Sequence, residues 1–120
     1  MVSRVDGVRL EQARIAIGGA SRAAGVDFDY LLAQARIESD LNPDAKAKTS
    51  SAAGLYQFTK STWLGMLNRH GSAYGADWAS QAIQKVGGRH VVQDPQLRQQ
   101  ILDLRYDPSL AAAMAAEFAN

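Results

Sequence analysis

Almost everywhere along this chain apolar residues recur three and four positions apart, and no segment alternates apolar with polar long enough to claim a strand. A chain patterned in this way buries its apolar stripes by packing helices on one another, so the expected class is all-α. Its 120 residues, 47% hydrophobic and 21% charged, suit one globular domain with a modest core.

Local chemistry places the elements. A first helix is expected over Leu10 to Ala24, ending near Gly25. Asp27 or Asp29 caps a second, which runs to about Ser39 and is stopped by Asn42 and Pro43. Thr59 offers the cap for a third through His70, with Trp63, Leu64 and Leu67 buried and Gly71 as its end. A fourth is expected from Asp77 to Val86, burying Trp78, Ala82 and Ile83 and terminated by Gly87-Gly88. Asp94-Pro95 and Asp107-Pro108 each set a capping carboxylate before a proline at the first helical position; Leu97, Ile101 and Leu104, then Leu110, Met114 and Phe118, form their buried faces. Between the second and third helices, Asn42 to Ala53 is small and polar. It reads as an ordered surface loop with room for a short two-stranded ribbon, long enough to suggest a function. No internal repeat or low-complexity linker interrupts the chain.

The net charge of +1 comes from Lys and Arg scattered among Asp and Glu, which argues against a nucleic-acid partner. The absence of Cys removes disulfides, thiolate nucleophiles and Cys-based zinc sites. No stretch approaches the roughly 20 apolar residues of a membrane span, and MVSRVDGVRLEQ lacks the apolar core of a secretory signal. SLAAAMAAEFAN stops within a helical pattern without a Gly cap or downstream Pro, so the expectation is a single domain over residues 1–120, cut at its C-terminal end, and monomeric. His70 and His90 lie far apart and outside any HExxH pattern, and they read as ordinary helix-end and loop residues; no metal or cofactor is expected. Gly18-Gly19 lacks a GxGxxG context and marks a bend or close packing. Trp63 and Trp78 read as core before sugar platforms.

One residue stands out. Positions 28, 31, 35 and 38 point into one narrow sector of the second helix, which sets Glu38 on the stripe of Phe28, Leu31 and Ala35. Burial there, together with the negative end of the helix dipole, would favour a neutral carboxyl group. A protonated acid beside a polar loop is what cleavage of a glycosidic bond needs, because the leaving oxygen must receive a proton. The alternative is a Glu that leans into water or pairs with Arg36.

Glu38-Ser39, then Leu41-Asn42-Pro43 and Ala45, then Gly54-Leu55-Tyr56-Gln57-Phe58 leading into Thr62-Trp63, resemble the soluble-type lytic transglycosylases, the SLT domain of the goose-type lysozyme-like superfamily. The resemblance covers about the middle third of the chain. It implies an all-α, lysozyme-like fold with a substrate groove, in which Glu38 alone serves as acid and then base. The family cleaves the β-1,4 bond between N-acetylmuramic acid and N-acetylglucosamine in peptidoglycan without water and leaves 1,6-anhydro ends. The implied partners are peptidoglycan glycan strands, with an envelope protein partner left open, and the implied location is the periplasm or cell envelope.

Within that resemblance Ser39, Gly54, Tyr56 and Gln57 match substrate-binding positions. Ser39 orients the acid or touches substrate, or else bonds its own helix backbone. A side chain at Gly54 would push the backbone away from the sugar, and Gln57 can donate and accept towards an acetamido or hydroxyl group. Tyr56 replaces the Met commonest at its place and reads equally as a sugar platform or as core. Asp40 reads as a helix-end surface residue, Asp44 as a loop hydrogen-bonder and Glu117 as a solvated helical residue. The chain departs from the pattern in a further respect: the later Ala-Tyr-Asn type motif, whose Tyr bonds the catalytic Glu, is not found. A non-catalytic module with an inherited groove and a hydrolysing muramidase are the other readings.

Overall fold

Two facing stripes of small residues set the frame. In the computed structural model, which describes residues 4–120, α1 (Arg4–Ala24) lies along α6 (Pro108–Ala119), its Ala13, Ala16, Ile17 and Ala20 buried as are Ala112, Ala113, Met114 and Ala116 of α6. Alanines let two backbones approach closely while still removing apolar surface from water. The opening three residues of MVSRVDGVRLEQ lie outside the described residues.

Against this pair pack α2 (Phe28–Ser39) and α3 (Lys60–His70), followed by a 3-10 turn over Gly71–Tyr74, α4 (Asp77–Ala82) and α5 (Pro95–Asp103), with a second 3-10 turn over Leu104–Tyr106 before α6. Three of the expected caps form: Asp27 accepts from the Tyr30 N–H, Asp94 from the Gln96 N–H, and Asp107 from the Ser109 and Leu110 N–H groups; Thr59 stands at the start of α3, but its hydroxyl bonds the Thr62 hydroxyl and caps no N–H. Trp63 is fully buried, and its indole N–H donates to the Ile101 carbonyl at 2.9 Å, tying α3 to α5. The mainly helical class read from the sequence is as observed.

The fourth helix is shorter than expected. It ends at Ala82, and the chain turns into an antiparallel hairpin of β1 (Gln84–Val86) and β2 (Arg89–Val91), with Val86 paired to Arg89. Gly87 and Gly88 both have positive φ, 57° and 80°, which is what a two-residue hairpin turn needs; they close a hairpin and do not terminate a helix. The helix phase changes with it. Ala79 and Ile83 face the core, whereas Trp78, expected to be buried, is 48% exposed. Phe118 is likewise not core but 67% exposed. In the loop after α2 the expected ribbon reduces to isolated bridges, Lys46 with Ala53 and Ala53 with Phe58.

Candidate active site

The end of α2 is abrupt because two residues turn left-handed in succession, Asp40 at φ 55° and Leu41 at φ 62°. Their N–H groups satisfy the Arg36 and Ala35 carbonyls, and Leu41 swings into the core. Among the described residues the third non-glycine with positive φ is Gln57, at 55°. Asp40 and Leu41 follow Glu38 closely in the chain and Gln57 lines the same groove, and backbone held in such sparsely populated conformations concentrates at functional sites.

After Leu41 the loop is built from its own polar groups. Asn42 Oδ1 accepts from the Asp44 N–H, the Gly54 N–H donates to the Ala45 carbonyl at 2.7 Å, and the Ala53 N–H donates to Phe58. Asp44 also pairs with Arg9 at 3.4 Å on the surface, Asp40 is exposed, and neither lines the groove. The Ser39 hydroxyl donates to the Leu55 carbonyl at 2.7 Å, with the Ala35 carbonyl of its own helix at 3.1 Å. The local bond to its own helix backbone is therefore present, and with it a bond to the loop that the sequence did not suggest.

Arg105 secures the loop from outside. Only 5% exposed, its guanidinium donates to the carbonyls of Leu102 at 2.8 Å, Ser51 at 2.6 Å and Phe58 at 3.1 Å; burial lowers its pKa from the ordinary value. Gly54, at φ 84°, lies against the Arg105 backbone, where a Cβ would run into the Arg105 carbonyl oxygen. The close approach that demands glycine here is to the protein's own chain and not to a sugar.

These elements enclose a groove of about 580 Å³ between α2, the loop and α6. Glu38, Tyr56 and Gln57 line it, with Tyr30, Gln34 and Phe118 as residues that the sequence reading missed; Ser39 and Gly54 stand behind the wall. Tyr30, Gln34 and Glu38 follow one another at intervals of four along α2, a polar stripe beside the buried Leu31 and Ala35, and that spacing was the available signal. Gln34 donates its side-chain N–H to the Tyr30 hydroxyl at 3.3 Å. No signal in the sequence marks Phe118 as a groove residue in place of core.

Glu38 itself differs from expectation in depth. Leu31 and Ala35 are buried, but one turn later the core has ended and Glu38 is exposed, without an ion pair to Arg36 among the described residues. The fold therefore does not bury the carboxyl group as periodicity suggested. It presents it at the rim of a groove. Tyr56 is 8% exposed and its hydroxyl donates to the Leu31 carbonyl at 2.8 Å, while burial raises its pKa well above the usual phenol value. Gln57 spends its amide N–H groups on the carbonyls of Gly54 at 2.8 Å and Ala45 at 3.2 Å, which leaves Oε1 as the uncommitted atom.

The domain, mainly helical, with an acidic residue in the last turn of its second helix at the rim of a loop-walled groove, is lysozyme-like. The transglycosylase SLT domain model matches residues 15–79, more than half of the chain, and the chain belongs to that family. Membership supports a transglycosylase-related function on peptidoglycan, the polymer on which SLT domains act in the cell envelope. Among the described residues no helix is long and apolar enough to cross a membrane, and no group of three or more His, Cys, Asp or Glu residues could hold a metal ion.

Proposed function

We propose that the chain is a single-domain peptidoglycan lytic transglycosylase of the periplasm or cell envelope, with Glu38 as acid and then base. One observation carries this reading: among the described residues lining the groove, Glu38 is the only one that bears a carboxyl group. A two-carboxylate glycosidase needs a second acid about 5 to 10 Å away. A groove with a single carboxyl suits a reaction in which the substrate supplies its own nucleophile.

In that reaction protonated Glu38 donates to the bridging oxygen as the bond to the muramoyl anomeric carbon breaks, and becomes a carboxylate. The muramoyl 6-hydroxyl then attacks the anomeric carbon and returns its proton to Glu38, closing a 1,6-anhydro ring. Glycan lying in the groove displaces water from around the exposed carboxyl group and supplies the dry setting that the open groove lacks. Gln57 offers Oε1 to a sugar N–H or hydroxyl, Tyr56 forms the floor, and Ser39 and Gly54 hold the wall to which both belong.

Exposure of Glu38 favours one second reading, a hydrolysing muramidase, because an open rim admits water. The products separate the two. Purified sacculi digested with the protein and analysed by mass spectrometry are expected to yield anhydro-muramoyl ends; reducing ends assign hydrolysis. Glu38→Gln is expected to abolish cleavage with helicity unchanged, and undiminished cleavage by that variant would overturn the catalytic role. Binding of glycan without any product would make the chain a non-catalytic module.

A further inference from the structure

Phe118 and Thr62 line the groove that holds Glu38 and also a second cavity of about 770 Å³, bounded by α3, α6 and the hairpin, so the two spaces adjoin across these residues. Phe118 is kept at this boundary by an edge-on contact with Phe58, ring centroids 6.4 Å apart, and Phe58 packs on the buried Trp63.

The ionisable lining of the second cavity is Arg69, His70, His90 and Glu117. Glu117, expected to be merely solvated, is already committed: the Tyr74 hydroxyl donates to Oε1 at 2.5 Å, and His70 Nδ1 lies 3.6 Å from Oε2. Arg69 is exposed and enters no ion pair among the described residues. His90 lies against Gly65 inside α3, its ring 3.4 Å from where a Cβ would stand. Glycine weakens a helix interior, and here its missing side chain lets the imidazole sit close on the helix and border the cavity. With Glu117 engaged, the uncommitted groups are a guanidinium and an imidazole. Sugar hydroxyl and acetamido groups gain little from such a pair, whereas a carboxylate gains charge-assisted hydrogen bonds from the guanidinium.

Resting on the reading of the groove as a glycan site, we infer that the second cavity binds the carboxylates of the peptide stem carried by the muramoyl sugar, through Arg69 and His90. The protein then distinguishes stem-bearing from bare glycan beside the bond it cleaves.

Calorimetric titration of Glu38→Gln protein tests this with a tetrasaccharide of alternating N-acetylglucosamine and N-acetylmuramic acid, with its peptide stems and after an amidase has removed them to leave only the lactyl carboxylates, and with chitotetraose as the neutral reference. The stem-bearing form is expected to bind about threefold to tenfold tighter, a preference that shrinks at high salt. Adding Arg69→Ala and His90→Ala is expected to equalise the stem-bearing and stem-free forms. Lys85→Ala, which removes the cross-strand neighbour of His90 outside the cavity, should keep the preference. Equal affinities before the change, or a preference that survives it, overturn the inference while leaving the groove reading intact. Failure of every ligand to bind overturns both.

Discussion

Ser39 Oγ stands 2.7 Å from the carbonyl oxygen of Leu55, a bond between residues sixteen apart that fastens the last turn of α2 to the strip carrying Tyr56 and Gln57. The neighbour of Ser39 on one side is Glu38, so this bond fixes the distance between the acid and the opposite wall. Ser39→Ala is expected to cost about 1 kcal/mol, the usual net worth of such a bond, read from urea unfolding with an unchanged m-value. Cleavage of sacculi should fall roughly tenfold, because small misplacements of a catalytic group are expensive. A variant as active and as stable as the parent would show the bond to be incidental.

Gly54 and Gly75 share nearly the same left-handed backbone, φ 84° and 81°, but nothing lies within 4 Å of a Cβ at Gly75 whereas the Arg105 carbonyl blocks one at Gly54. Gly75→Ala should therefore cost only the left-handed penalty of about 1 to 2 kcal/mol. Gly54→Ala should cost more than about 3 kcal/mol, since backbone must move on both sides. Comparing their urea midpoints isolates the steric part, and equal losses would contradict the close approach.

Arg105 replaced by Met keeps roughly the volume but removes one donor from each of the carbonyls of Leu102, Ser51 and Phe58, of which Phe58 keeps the Ala53 N–H and Leu102 that of Leu104. The expected loss is about 3 kcal/mol, and Arg105→Lys should recover little of it because an ammonium cannot span the three acceptors. Protease nicking between Ser50 and Ala53, followed by mass spectrometry, should rise in both variants; protection equal to the parent would count against the clasp.

Alkali tests the phenols. The bond to Glu117, then burial and the nearby carboxylate charge, hold the Tyr74 pKa at about 12, above its unfolded value near 10. Between those two values the unfolded chain has released a proton that the folded chain keeps, so stability is present below pH 10 and falls as pH rises towards 12. Tyr56, shifted in the same direction, adds to the fall. Urea midpoints measured from pH 9 to 11.5 should decline, and Tyr74→Phe should flatten the slope; an identical slope in that variant would refute its share.

What was legible in the sequence was local. Asp27, Asp94 and Asp107 announce helix starts because a carboxylate satisfies nearby N–H groups whatever the rest of the fold does. The hairpin was not legible, since its strands are only three residues long and a Gly-Gly pair ends a helix as readily as it turns a ribbon. Trp78 and Phe118 were assigned to the core by residue type, but an element's rotation is set by what it packs on, which periodicity over six or twelve residues does not fix. For Glu38 the stripe gave direction without depth: Leu31 and Ala35 lie under α6 and the loop, and the helix outruns the core by one turn. Arg105 was silent because one Arg among polar neighbours reads as surface, and its acceptors come from a loop some fifty residues away.

That distant clasp has a practical corollary. Arg105 sits well beyond residue 79, where the family match ends, yet the carbonyls it grips at Ser51 and Phe58 belong inside the match. The signature-bearing stretch is thus not a portable cassette. Excised or grafted without the turn at Leu104–Tyr106, it would bring its acid along with a slack wall facing it, and any minimal version of this domain has to retain both ends of that grip.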